Sequence, residues 1–189
     1  MAEKPLQGFR VAILAAHDFE EAELLQPRQA LEQAGAETVV VSPDSGEIQA
    51  MQHDEKTKKV KVDVSLDEAS PEMFDGVLLP GGALNADKLR VDRQAQAFVR
   101  SLQQTGKPMA IICHAPWLLV SAGLVQGRKL TSYYTIQDDI RNAGGKWEDR
   151  EVVRDRNWVT SRQPGDIPAF NREMIALFAE ARAKRRKAA

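Results

Sequence analysis

Short, nearly unbroken apolar runs alternate with amphipathic stretches along most of the chain. Phe9 to Ala16, Glu37 to Val41, Asp75 to Leu79 and Lys107 to Ile112 are such runs. They lack an alternating polar face, which predicts strands buried on both sides of a sheet. Between them the apolar period lengthens to that of a helix. His17 to Glu21 is a loop turning into a helix that runs to about Ala34, with Leu24, Leu31 and Ala34 on one face and Gly35 as the stop. Pro27 inside that stretch predicts a kink or a late start. Val91, Ala95, Phe98, Val99 and Leu102 mark a second helix, capped by Asp92 and stopped by Gly106. Ile136 to Ala143 is a third. A last helix follows Asp166 as cap, with Phe170, Met174, Leu177, Phe178 and Ala181 inward. The polar stretch Glu47 to Val64 reads as an excursion holding one or two edge strands. Arg128 to Ser132 is a short strand, and Glu151 to Asp155 and Trp158 to Thr160 are strands joined at Arg156-Asn157.

Buried strands alternating with helices imply an α/β sandwich, a mostly parallel sheet with helices on both faces. Sites in such sheets form beyond the carboxyl ends of the strands. Three segments leave strands at that edge: His17 to Glu20, Gly81-Gly82, and Cys113-His114. They converge on one crevice.

Cys113 is the only cysteine. It follows the run Ala110-Ile111-Ile112 and precedes His114, Ala115 and Pro116, which reads as strand, sharp turn and helix. A side chain on such an elbow projects above the sheet and sits near a helix N-terminus, where thiolate is favoured. Pro116 suits the first helical turn. The alternative is a small buried hydrophobe, the commoner fate of a lone cysteine. Gly81-Gly82 is either a plain tight turn or a place where backbone N–H groups, with that of His114, form an oxyanion hole. Glu20 is either a partner of the helix dipole or a carboxyl reaching over Cys113. His17 reads as a surface or packing residue, or as part of the crevice mouth.

Composition narrows the classes. A chain of 189 residues suits a single domain, here with a core of about 9–178 and a basic tail at 182–189. The net charge of −1 creates no global field toward nucleic acid or membrane. One cysteine, no signal-like start and no long apolar run lead to the expectation of a cytoplasmic protein. No zinc-ligand spacing, phosphate loop or dinucleotide fingerprint is present, so no metal and no cofactor are expected. The tail reads as a frayed, solvated helix end, or as a contact for acidic partners. Trp117, Trp147 and Trp158 read as core or interface residues.

The motifs His17-Asp18-Phe19-Glu20-Glu21-Ala22-Glu23-Leu24, Leu79-Pro80-Gly81-Gly82, Asp87-Lys88-Leu89-Arg90, Ile112-Cys113-His114-Ala115-Pro116 and Asn157 to Arg162 together resemble the PfpI-type intracellular peptidases. These belong to the class I glutamine-amidotransferase-like superfamily, which includes the Parkinson-associated deglycase. The match runs in order from about Arg10 to Phe178. The resemblance implies a flavodoxin-like fold with Cys113 as nucleophile, Glu20 as the glutamate contacting the thiol and His114 as its partner. It implies that Asp87 completes the site from a neighbouring subunit of a dimer or higher homo-oligomer, and that Tyr133 lines the pocket. Ala115 stands where glycine is more usual, and Ala83 to Ala86 is one residue longer than in many relatives. The activities it implies are peptide hydrolysis, removal of glyoxal and methylglyoxal adducts, and cysteine-based stress sensing. The first two make the protein an enzyme on small carbonyl, glycated or peptide substrates. The third makes it a non-catalytic sensor or holding protein that works by oxidation of Cys113.

Overall fold

The structure, a computed structural model, describes residues 4–188. Along the chain, β1 (Arg10–Leu14) leads through the two-residue β2 (Phe19–Glu20) into α1 (Glu21–Gln33). Then come β3 (Glu37–Ser42), the hairpin of β4 (Glu47–Gln52) and β5 (Glu55–Lys61), β6 (Val64–Ser65) and β7 (Gly76–Leu79). Two helices follow, α2 (Ala83–Val91) and α3 (Arg93–Gln104), and then β8 (Met109–Ile112) and α4 (Pro116–Ser121). The remainder comprises β9 (Lys129–Leu130), α5 (Gln137–Asn142), β10 (Lys146–Trp147), β11 (Val152–Asp155), β12 (Trp158–Ser161) and α6 (Ile167–Ala188).

Among the described residues, the central sheet has seven strands in the order β11-β12-β8-β7-β1-β3-β6. Only β11 runs antiparallel to its neighbour; the other pairings are parallel. β7 and β8 are buried at every position, as strands with helices on both faces must be. The two faces carry separate apolar clusters, one built on Leu14, Phe98, Leu102 and Trp158, the other on Phe9, Leu31, Phe170 and Phe178. This is the α/β, flavodoxin-like sandwich expected.

The polar excursion supplies one edge strand of this sheet, β6 beside β3, but most of it lies elsewhere. β4 and β5 pair antiparallel, and β4 pairs with β2 in a separate three-stranded sheet. Ile48 and Ala50 are fully buried and draw the hairpin inward, while lysine-rich β5 faces solvent. The segment after Gly82 is helical. Val91 ends that helix and is 73% exposed, so it does not belong to the apolar face of α3. The chain turns there because Asp92 Oδ1 accepts hydrogen bonds from Gln94 N (2.8 Å) and Ala95 N (2.9 Å) and restarts the helix. Asp92→Ala is expected to cost about 1 kcal/mol in urea unfolding, with an unchanged denaturant slope.

Helix α1 starts at Glu21 and runs through Pro27, so no late start occurs. Asp166 lies in a 3-10 turn before α6, and its carboxylate holds the backbone N–H and guanidinium of Arg162. The basic tail is not frayed: α6 continues to Ala188, and Arg185 pairs with Asp75. Trp158 is fully buried under the guanidinium of Arg128, 3.8 Å from its ring centroid; Trp117 and Trp147 are half-buried against the core. Among the described residues, no helix is long and apolar enough to cross a membrane.

Candidate active site

The site sits at the carboxyl ends of β1, β7 and β8. β8 ends at Ile112, and Cys113 takes a left-handed backbone with φ 63°. For a residue with a Cβ that conformation costs about 1 kcal/mol. It persists because both sides of the turn are pinned. Cys113 N donates to Ser161 O (3.0 Å), and Tyr133 N donates to Cys113 O (2.9 Å). Pro116 then opens α4 as expected. The thiol is only 6% exposed, yet it lines a pocket of about 440 Å³ together with Glu23, Gly82, His114 and Tyr133. The β4–β5 hairpin adds Met51 and His53 to the rim, and Gln163 to Gly165 close the opposite side.

The carboxyl beside the thiol is Glu23, not Glu20. Glu23 is fully buried, and its Oε2 accepts the N–H of Gly81 at 2.9 Å. Its Oε1 is buried without a regular partner, and the carboxyl and the Cys113 thiol perturb each other's protons. Glu20 lines the outer pocket, where its Oε2 accepts the backbone N–H of His53 at 3.1 Å. The shift has a helical reason. Glu20 precedes the first turn of α1, whereas Glu23 lies on the face of Leu24, Pro27 and Leu31 that packs inward. An acid on a buried helical stripe was the signal available.

Gly81 does not offer its N–H to a substrate, since Glu23 occupies it. Its role is close approach: a Cβ there would lie 2.6 Å from Cys113 Cβ and would collide with Glu23 Oε2. Gly82 takes φ 91°, and its backbone N–H and that of His114 are the groups that favour the charged form of the sulfur. The donor pair is therefore Gly82 and His114. His114 Nδ1 lies 3.1 Å from Cys113 Sγ, and the imidazole stacks on Tyr133 with centroids 4.8 Å apart. Asp87 is exposed on α2 and stands outside the pocket of its own chain. His17 faces the β4 backbone, with Nδ1 accepting from Gln49 N at 3.0 Å. Among the described residues, no cluster of three or more His, Cys, Asp or Glu could hold a metal ion.

Burial dominates the electrostatics. It raises the Glu23 pKa from 4.5 to about 8, with the nearby Glu20 charge adding to it and the Gly81 N–H opposing it. Burial, followed by the Glu23 charge, pushes the Cys113 thiol well above its ordinary value, against the pull of the Gly82 and His114 N–H groups. The helix terminus, expected to favour thiolate, works against this burial, and α4 has only six residues. Burial also lowers the His114 pKa, so its imidazole is neutral at pH 7. Cys113 and Glu23 therefore titrate as one coupled pair.

An α/β sandwich with a lone cysteine on a strand-to-helix elbow and a buried carboxyl beside it defines a cysteine-nucleophile class of site. Residues 9–177 match the DJ-1/PfpI family, and the chain belongs to that family. It is 43% identical over 169 residues to Deglycase PfpI of Pyrococcus furiosus, covering 89% of this chain and 99% of that protein. It is 41% identical over 170 residues to Protein/nucleic acid deglycase 2 of Escherichia coli, covering 89% and 97%. Among solved structures, Drosophila melanogaster DJ-1beta superposes with a TM-score of 0.80 at 26% identity, covering 92% and 95%.

Proposed function

We propose that the protein is a cysteine-dependent enzyme acting on small carbonyl compounds and on the adducts they form with amines. The observation that carries this reading is the Glu23–Cys113 pair in one pocket, with the Gly81 N–H on the carboxyl and the Gly82 and His114 N–H groups favouring the charged sulfur. The relatives named as deglycases support the same substrate class. Loss of one proton from the pair gives a monoanion that is mainly Glu23 carboxylate beside the thiol; its minor tautomer, with the proton moved from sulfur to Glu23, supplies the thiolate. With methylglyoxal, the thiolate attacks the aldehyde carbon, and Glu23 donates its proton to the resulting oxyanion. This forms a hemithioacetal. The Glu23 carboxylate then takes the proton from that carbon to give an enediolate, the hydroxyl proton passes to the neighbouring oxygen, and Glu23 returns its proton to the adjacent carbon, which leaves a lactoyl thioester. Water hydrolyses the thioester to lactate and restores the thiol. The net reaction adds one water to methylglyoxal. With a glycated amine, a hemiaminal, the thiolate takes the place of the amine at the carbinol carbon: the C–S bond forms, the C–N bond breaks, and Glu23 protonates the leaving nitrogen, giving the free amine and the same hemithioacetal.

A pocket of about 440 Å³, rimmed by the β4–β5 hairpin and Gln163 to Gly165, suits a small adduct better than a folded polypeptide. Activity rises with pH as the pair loses its first proton, because the doubly protonated pair holds no thiolate. Purified protein given methylglyoxal, or methylglyoxal-treated N-acetyl-lysine and N-acetyl-arginine, is expected to form lactate above a boiled control. Cleavage of a quenched peptide with no lactate would replace this reading with that of a peptidase.

A further inference from the structure

We propose that Asn85 is a positioning residue that aims the two backbone N–H groups serving the Cys113–Glu23 pair. It is fully buried in the first turn of α2 and lies outside the pocket lining. Its Oδ1 accepts the N–H of Ala16 at 2.7 Å, and its Nδ2 donates to Pro80 O (3.1 Å) and Gly81 O (2.9 Å). The side chain therefore ties the end of β1 to the turn that leaves β7.

The two carbonyls it holds belong to two consecutive peptide units. Each unit is planar and trans, so its C=O and N–H point in opposite directions. The Pro80–Gly81 unit presents its oxygen to Asn85 and its N–H to Glu23 Oε2, at 2.9 Å. The Gly81–Gly82 unit presents its oxygen to Asn85, and its N–H, on the opposite edge of the plane, is the Gly82 donor that favours the Cys113 thiolate. Gripping both oxygens sets the rotation of both planes, and hence the direction of both donors. A glycine pair needs such a grip, because glycine backbones resist rotation least. The remaining hydrogen bond on Gly81 O comes from Glu20 N at 3.2 Å, and it constrains only one of the two planes.

This inference rests on Cys113 as the reactive group of the proposed function, but its test needs no carbonyl substrate. Asn85→Ala and Asn85→Ser are compared with the native protein by the rate of iodoacetamide alkylation against pH, read from intact mass. Circular dichroism is recorded at each pH. With the Gly82 N–H no longer aimed, the thiolate loses a donor. The alkylation midpoint is expected to move to higher pH, with a rate at least about tenfold lower at pH 8. A purely structural role would lower the melting temperature and leave the midpoint of the folded protein where it was, and that result overturns the proposal. Failure of both variants to fold also overturns it, since Asn85 would then serve the fold alone. A shifted midpoint in a protein that forms no lactate would leave the positioning role standing and remove the catalytic one.

Discussion

Cys113→Ser is expected to reduce lactate formation from methylglyoxal by at least about 10³-fold while leaving the fold intact. Serine keeps the size and the left-handed turn, so the pins from Ser161 and Tyr133 remain. What it loses is ionisation. A serine hydroxyl flanked by a buried carboxyl has no base strong enough to deprotonate it at neutral pH, and removing an enzyme's nucleophile commonly costs several orders of magnitude. Since Cys113 is the only cysteine, no other thiol can supply residual turnover. A variant retaining more than a tenth of the native rate would show that the chemistry lies elsewhere. Matching circular dichroism spectra would separate this outcome from misfolding.

Glu23→Gln is expected to push activity and stability in opposite directions. Lactate formation falls by about 10²-fold or more, because no group remains to pass the proton between oxygen and carbon. Stability rises. A carboxyl held near pKa 8 in the folded chain and 4.5 in the unfolded one binds its proton more tightly when folded. The folded state therefore loses stability as pH climbs from 4.5 toward 8, at up to 1.36 kcal/mol for each pH unit. By pH 7 the native protein has lost about 3 kcal/mol, which the amide, unable to ionise, retains. The Gln side chain can still accept the Gly81 N–H. Urea unfolding at pH 4 and pH 7 measures the effect: the variants converge at pH 4 and separate at pH 7. Equal stability at both values would mean that Glu23 ionises normally in the fold.

The sequence carries the architecture of this site more fully than its details. Runs such as Val11 to Leu14, Val77 to Leu79 and Ala110 to Ile112 are apolar on both faces, and only a doubly covered sheet accommodates them. The elbow was legible for the same reason, as a thiol between an apolar run and a helix-opening proline. Glu20 and Glu23 were harder to separate. Both lie in one acidic run, and the choice depends on where the first helical turn starts relative to the pocket, a tertiary fact. The hairpin over the crevice was obscured because only Ile48, Ala50 and Met51 of β4 are buried, too few for a strong period. Asn85 gave no local signal, since its partners Ala16, Pro80 and Gly81 come together only when β1 and β7 pair.

In the proposed site, Cys113 and Glu23 share their protons as a pair. The most direct measurement is the rate of Cys113 alkylation by iodoacetamide across pH 5 to 10, in the native protein and in Glu23→Gln. The native thiol is pushed up by burial and by the Glu23 charge, so removing that charge lowers the midpoint, and the variant alkylates faster at pH 9 even as its turnover falls. A midpoint that stays in place, or moves to higher pH, would contradict the pairing.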